Sequence, residues 1–274
     1  MNLNTLPASN YSLADLATFL NDGFADYFVP IQFTTTAFSN MLRKDGMDLS
    51  VSRVLMEEGQ PCGIALIARR GWTSRLAAMG ISKTMRGKGA GSWLMGELIK
   101  EACQREDREI VLEVIEQNER AVKLYQKYGF QTVRRLIGCI RQEAKESQKS
   151  DLQDIDLREV GQLIAQHGLP DLPWQLSGES IAQLNPPARA YRKGQAYLAL
   201  SNPDLDHIVI WSLLVEQAGR GHGLGTDLLK SVIANHPGKT WHMPALCPEE
   251  LWNVFERADF EREELSQWQM KLVL

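Results

Sequence analysis

Residues 79–93 read MGISKTMRGKGAGSW, and this stretch decides the fold. The strand-like run Thr73 to Ile81 ends in it. An arginine and three glycines follow (Arg86, Gly87, Gly89, Gly91), and a long helix opens and runs to about Arg105. A strand, then R-x-x-G-x-G, then a helix is a geometry suited to phosphate. Glycines let backbone approach a ligand closely, and the first helical amides are free donors at the positive end of the helix dipole. Two competing motifs fail on their letters. A dinucleotide G-x-G-x-x-G needs glycine where Ser92 stands, and a P-loop needs Ser or Thr after its Gly-Lys, whereas Lys88 is followed by Gly89. A glycine-rich turn without a ligand is the plain alternative.

Working outward, Leu49 to Met56, Cys62 to Ala68 and Thr73 to Ile81 read as an antiparallel meander with turns at 57–60 and 69–71. Residues 11–46 before it are helical in period, with Ser12 as an N-cap and Leu13, Leu16, Phe19, Leu20 and Phe24 on one face. After the glycine loop come a buried strand (Ile110 to Ile115), a helix (Asn118 to Tyr128) stopped by Gly129, and a strand (Gln131 to Ile137). The polar stretch RQEAKESQKSDLQ, 141–153, reads as a linker. Beyond it the order returns: a helix over Leu157 to His167, strands at Ala190 to Arg192, Ala196 to Ser201 and His207 to Val215, then a second loop, RGHGLG, at 220–225. Arg86 and Arg220 are 134 residues apart, and YQKYGF (125–130) is echoed by FERADF (255–260). We read a tandem duplication with a first domain at 1–142, a linker at 143–152 and a second domain at 153–274.

Met79 through Phe130 resembles the GNAT superfamily of acyl-CoA-dependent N-acyltransferases. The likeness rests on the strand, R-x-x-G-x-G, helix and VLEVI series, followed by Asn118, Ala121, Leu124, Tyr125, Gly129 and Phe130. It implies an α/β (α+β) fold: two GNAT-like domains, each a mixed, mostly antiparallel sheet flanked by helices, with central strands that splay apart. It implies acetyl-CoA as co-substrate, with Arg86, Gly87, Lys88, Gly89, Ala90, Gly91 and Ser92 cradling the pyrophosphate. Met79, Gly80 and Ile81 would hold pantetheine and polarise the thioester, and Asn118 would touch the cofactor while capping its helix. Tyr125 is the candidate acid for the departing thiolate, since a phenol near ~10 can donate to a thiolate near ~8.5. Packing beside Leu124 and Phe130 is the alternative for Tyr125. The basic residues Arg69, Arg70, Arg75, Lys83, Arg86 and Lys88 suit a phosphorylated ligand. A general base is harder to find: Glu113 is one candidate, and Asp26, Tyr27 and Phe28 fall where related proteins receive the acceptor.

Thirty basic and 34 acidic side chains give −4, which is not the balance of a nucleic-acid binder. Cut after Lys145, the first part has 19 basic and 16 acidic residues, the remainder 11 and 18. The longest apolar run, Ile208 to Val215, is far short of the ~20 residues of a membrane span. With no secretory signal and four scattered cysteines, a cytoplasmic protein without disulfides or metal is expected. The expected activity is acetyl transfer from acetyl-CoA to a primary amine of a small molecule or peptide, in the first half. The second half puts Phe255 at the place of Tyr125 and Pro248 at that of Asn118, and Pro244 interrupts its strand Trp241 to Leu246. It therefore reads as degenerate, making the chain an intramolecular pseudo-dimer that is itself a monomer or dimer. The alternatives are a non-catalytic acyl-CoA-binding or regulatory protein, and an acyltransferase with another donor or acceptor.

Overall fold

The computed structural model describes residues 2–30, 32–142 and 151–274. Most of the expected linker, 143–150, lies outside them. The chain divides into two compact units, the first made of Met1–Val114, Asn118–Val133 and Gln269–Leu274, the second of Ile115–Gln117 and Arg134–Trp268.

The first unit contains β1 (Leu3–Pro7), α1 (Leu13–Gly23), α2 (Thr35–Asp45), β2 (Arg53–Glu57), β3 (Gln60–Arg70), β4 (Thr73–Ile81), α3 (Ala90–Gln104), β5 (Glu109–Ile115) and α4 (Glu119–Lys127). The expected helical region is two helices. Ser12 starts α1 with a reciprocal capping box to Asp15, and Gly46, at φ 64°, ends α2 in the left-handed conformation. The sheet order is β1-β2-β3-β4-β5. Leu16, Leu20 and Phe38 pack on Val54, Met56, Ile64 and Leu66, while the alternate strand residues Leu55 and Ala65 are fully buried too, so both faces are covered. Strands β1 to β4 are antiparallel neighbours, but β4 and β5 are parallel and pair only over Thr73–Arg75 and Glu109–Val111. Beyond Arg75 no described residue of β4 pairs with β5, so the two strands part as a fork that points toward the glycine loop.

The second unit contains most of β6 (Gln131–Arg141), then β7 (Gln153–Asp154), α5 (Leu157–His167), α6 (Gly178–Ile181), β8 (Arg189–Lys193), β9 (Ala196–Leu200), β10 (His207–Val215), α7 (Leu224–Asn235), β11 (Thr240–Pro248), α8 (Trp252–Glu256) and the start of β12 (Glu261–Val273). Its order is β12-β6-β11-β10-β9-β8-β7. The fork recurs: β10 runs parallel to β11 over only His207–Val209 and Thr240–His242. As Pro244 predicts, the register of β11 against β6 breaks between Met243 and Cys247, because proline has no amide to give the ladder. Leu228, Leu229 and Trp241 fill one face against Leu198, Ile208 and Ile210; Leu157, Val160 and Ile164 of α5 cover Tyr197, Ala199 and Leu214.

Strands β1, β7 and β12 are absent from the reading of the sequence. β1 is five residues long, β7 is two residues at the end of the polar stretch read as linker, and β12 opens on Glu-Arg-Glu-Glu, a charged start that hides the alternation behind it. Among the described residues no helix is long and apolar enough to cross a membrane, and no cluster of His, Cys, Asp or Glu is suited to a metal ion.

Candidate active site

The glycine loop closes the fork of the first unit. Gly87 and Gly89 have φ of 83° and 89°, the left-handed region that side chains strain to enter. Gly89 is the N-cap of α3 and brings no side-chain hydrogen bond, so the first amides of a fifteen-residue helix face outward uncapped. Gly91 differs: its φ is ordinary, and a Cβ there would stand 3.7 Å from Ile81 and 3.9 Å from Leu124, normal contact. Nothing in the protein itself requires glycine at 91.

The side chain of Arg86 turns inward. Its Nε donates to Ile81 O and one terminal nitrogen donates to both Gly23 O and Ala25 O, all at 2.9 Å. The loop arginine thus ties the end of β4 to the end of α1. The second unit repeats the strut: Arg220 donates to Val215 O at 3.1 Å and to His167 O, the last residues of β10 and α5. The other expected phosphate cations divide. Arg69 pairs with Asp107 at 3.5 Å. Buried Arg75 lies between Glu113 at 2.8 Å and Asp45 at 3.4 Å. Lys83 pairs with Asp26 at 2.6 Å on the surface and holds that carboxyl below its ordinary range. Lys88 is exposed on the loop. Arg120 is a cation that sequence reasoning passed over: its guanidinium stands 3.7 Å from where a Gly87 Cβ would be. Its signal was its place in the first turn of α4, two residues after Asn118. Ser92 is engaged by Tyr128, whose hydroxyl lies 3.0 Å from its Oγ, a second partner missed.

Asn118 caps α4 by accepting from the Ala121 amide at 3.3 Å, and its side chain also shares a hydrogen bond with Tyr27. Tyr125 is buried on the same helix, its ring 5.7 Å from Phe130. Burial, and secondarily the nearby Tyr27 hydroxyl, pushes the Tyr125 phenol well above its usual value, so it stays protonated at any physiological pH. Tyr27 is itself raised by burial and stacks edge-on between Phe24 at 5.0 Å and Phe28 at 5.5 Å. The segment after α1 therefore reaches from the glycine loop, through Arg86 and Lys83, to Asn118 and Tyr125. Gly23 lies so close to Gly80 that a Cβ on it would be 2.8 Å from the Gly80 Cα. Phe28 is 53% exposed and Val29 36%, leaving an apolar step at the outer end of the segment. Glu113 gives its carboxylate to Arg75, which makes it part of a buried ion cluster together with Asp45.

Residues 16–130 match the family model for the acetyltransferase (GNAT) family. No curated protein matches the sequence. Among solved structures, a tandem GNAT protein from the clavulanic acid biosynthesis pathway aligns over 99% of this chain and 98% of its own, at TM-score 0.66 and 13% identity. A GCN5-related N-acetyltransferase from Sphaerobacter thermophilus covers 99% and 95% at 0.66 and 12% identity. Another from Anabaena variabilis covers 98% and 72% at 0.62 and 18% identity. At these identities the likeness is one of fold, and it extends across both halves. Residues 16–130, which include the glycine loop and Tyr125, thus carry an acetyltransferase (GNAT) domain, and tandem GNAT structures share the fold over nearly the whole chain.

Proposed function

We propose that the first half transfers an acetyl group from acetyl-CoA to a primary amine of a small molecule or peptide, and that the repeat boundary lies at 143–152. The observation that carries this reading is one cluster: an uncapped helix N-terminus behind two left-handed glycines, at the mouth of a strand fork, with Tyr27, Asn118 and Tyr125 gathered beyond it. The fit to the co-substrate rests on the same features. Helix amides of α3, with Lys88 and Arg120 nearby, suit a pyrophosphate. The unpaired edge of β4 near Met79, Gly80 and Ile81 suits an amide-bearing arm. The amine attacks the thioester carbon, forming the C–N bond; the C–S bond then breaks and the thiolate takes a proton. We assign that proton to Tyr125, a buried phenol that stays protonated. Burial raises the phenol, and the same dry surroundings raise the thiol, so the uphill gap for the transfer is smaller than the phenol's shift alone implies, and the phenolate then regains its proton from water. The proton of the attacking amine goes to water, since Glu113 is held by Arg75. Four free cysteines, with no disulfide, support a reducing, cytoplasmic setting.

The test is a pair of variants. Gly89→Glu places a side chain and like charge where the pyrophosphate belongs, and calorimetry should show first-site binding of acetyl-CoA lost in a folded protein. Tyr125→Phe should lower kcat by roughly 10²–10⁴ with little change in acetyl-CoA affinity. Unchanged binding in the first, or unchanged kcat in the second with chemistry rate-limiting, overturns the assignment.

A further inference from the structure

The second unit holds a cavity of about 490 Å³ at its own glycine loop, within the fork between β10 and β11. Its two ends differ in chemistry. At one end Gly221 and Gly223 take φ of 79° and 77°, with nothing within 4 Å of a Cβ on either, and α7 begins beside them without a side-chain cap. Although this half of the chain carries 11 basic and 18 acidic residues, the cavity wall contains two arginines, Arg220 and Arg257, and no carboxylate. That is charge selection for an anion against the grain of the domain. The rest of the wall is mostly apolar: Ile164 of α5 lines it, with Leu169, Leu172 and Leu176 from the segment that follows α5 as Asp26 and Tyr27 follow α1.

The residues that stand where the first half has Tyr125 and Asn118 offer no transfer chemistry. Phe255 is buried against Phe260, ring centroids 5.4 Å apart, in the arrangement that Tyr125 and Phe130 have, but without a hydroxyl. Pro248 offers neither a side-chain amide nor a backbone donor. Cys247 is the one thiol on the wall, and burial pushes it up to about 12, far from a nucleophilic thiolate.

We propose that the second half binds, without consuming, a coenzyme A thioester whose acyl chain is longer than acetyl: phosphates at the loop Arg220 to Gly225, chain against Leu172 and Leu176. This rests on reading the glycine loop as a coenzyme A cradle, as in the first half, and adds a second site, a different acyl preference and a binding role in place of catalysis.

The experiment uses the full chain and a thioester series: acetyl-, butyryl- and hexanoyl-CoA, with hexanoate alone as a control for the chain without its head group. Calorimetry and native mass spectrometry of the Gly89→Glu variant isolate the second site. One equivalent of hexanoyl-CoA should remain bound, tighter than acetyl-CoA by up to about four-fold per added methylene, from ~0.8 kcal/mol per buried CH₂. No free thiol should be released. Gly223→Glu should remove this equivalent from the wild-type background while leaving acetyl transfer unchanged. Leu172→Asp, half-buried and so less exposed to a folding failure, should flatten the chain-length dependence. Equal affinity for all three thioesters, binding of hexanoate as tight as its thioester, release of thiol, or no binding in the Gly89→Glu variant while wild type holds one equivalent, each overturns the proposal. Two equivalents retained by Gly89→Glu would instead fail the first-site reading and leave this one standing.

Discussion

Arg86 shows what a motif letter does and does not say. In R-x-x-G-x-G the arginine reads as a phosphate ligand, yet its three hydrogen bonds go to carbonyls of Gly23, Ala25 and Ile81. Its charge stays near the loop while its geometry serves the segment carrying Tyr27. Arg86→Met should cost about 2 kcal/mol in urea unfolding, from charged hydrogen bonds lost at a helix end. It should raise KM for the amine more than the dissociation constant for acetyl-CoA; the opposite order would return Arg86 to the phosphates. Glu113 is a similar case. Removing it leaves the buried guanidinium with only the longer Asp45 contact, so Glu113→Ala should destabilise by about 3 kcal/mol, an effect a solvent-facing base would not have. Far from that site, burial depresses His236 below the usual histidine value, with Tyr191 hydrogen-bonded to its Nε2 at 3.1 Å. A depressed histidine is neutral in the fold. Its contribution to stability is complete above the unfolded value of about 6.5 and is lost as pH falls from there through the folded value. The melting temperature should fall between pH 7 and pH 5, by less in His236→Phe; equal falls would exclude His236 as the cause.

Among elements, the parts that position the site were the most legible. Thr73–Ile81, Leu157–His167 and His207–Val215 have the bounds that their apolar pattern predicts, because each is closed by a strong stop: a glycine turn or loop, or a helix cap. The forks were not legible from period or spacing. Strand divergence depends on how far a parallel ladder continues, three pairs in each half, and no residue type announces where it ends. The split of the first helical region was equally hidden from the period of its apolar residues, since it rests on Thr34 capping α2 and on the Asn21 side chain holding the Phe33 backbone. The glycines, alike in the sequence, separate by element. Gly23 and Gly80 let α1 touch β4, and either one changed to Ala meets backbone within 3 Å, an overpacking cost of about 1–3 kcal/mol. Gly91, inside the first turn of α3, meets nothing closer than 3.7 Å. Gly91→Ala should therefore leave thermal stability unchanged or slightly improved. If acetyl-CoA affinity then falls, the glycine is kept for the ligand, whereas unchanged affinity shows that the backbone at 91 is not approached.

At the scale of the whole chain, the first compact unit is not a continuous segment. It takes in Gln269–Leu274, the end of β12. Met270 is completely buried, the Leu274 amide donates to Arg108 O at 2.9 Å, Lys271 pairs with Glu109 at 3.6 Å, and Leu272 lies 3.4 Å from where a Gly129 Cβ would stand. Gly129, at φ 89°, ends the helix that carries Tyr125, so the last residues of the chain pack against the end of that helix. A duplication read from the glycine loops alone suggests that 1–142 is a separable enzyme. The unit's composition argues otherwise. Expressed alone, 1–142 would leave β5 without this neighbour and Gly129 without its cover, exposing apolar surface that the full chain buries. It should therefore be poorly soluble or molten. The full chain cut after Trp268 should lose several degrees of melting temperature, and most acetyl transfer, although every residue of the glycine loop and Tyr125 is intact. Met270→Asp, which buries a charge where a methionine was fully enclosed, should reproduce much of that loss with the chain length unchanged. A soluble 1–142 fragment with full activity would show that the six terminal residues are dispensable, and that each repeat is a complete folding unit.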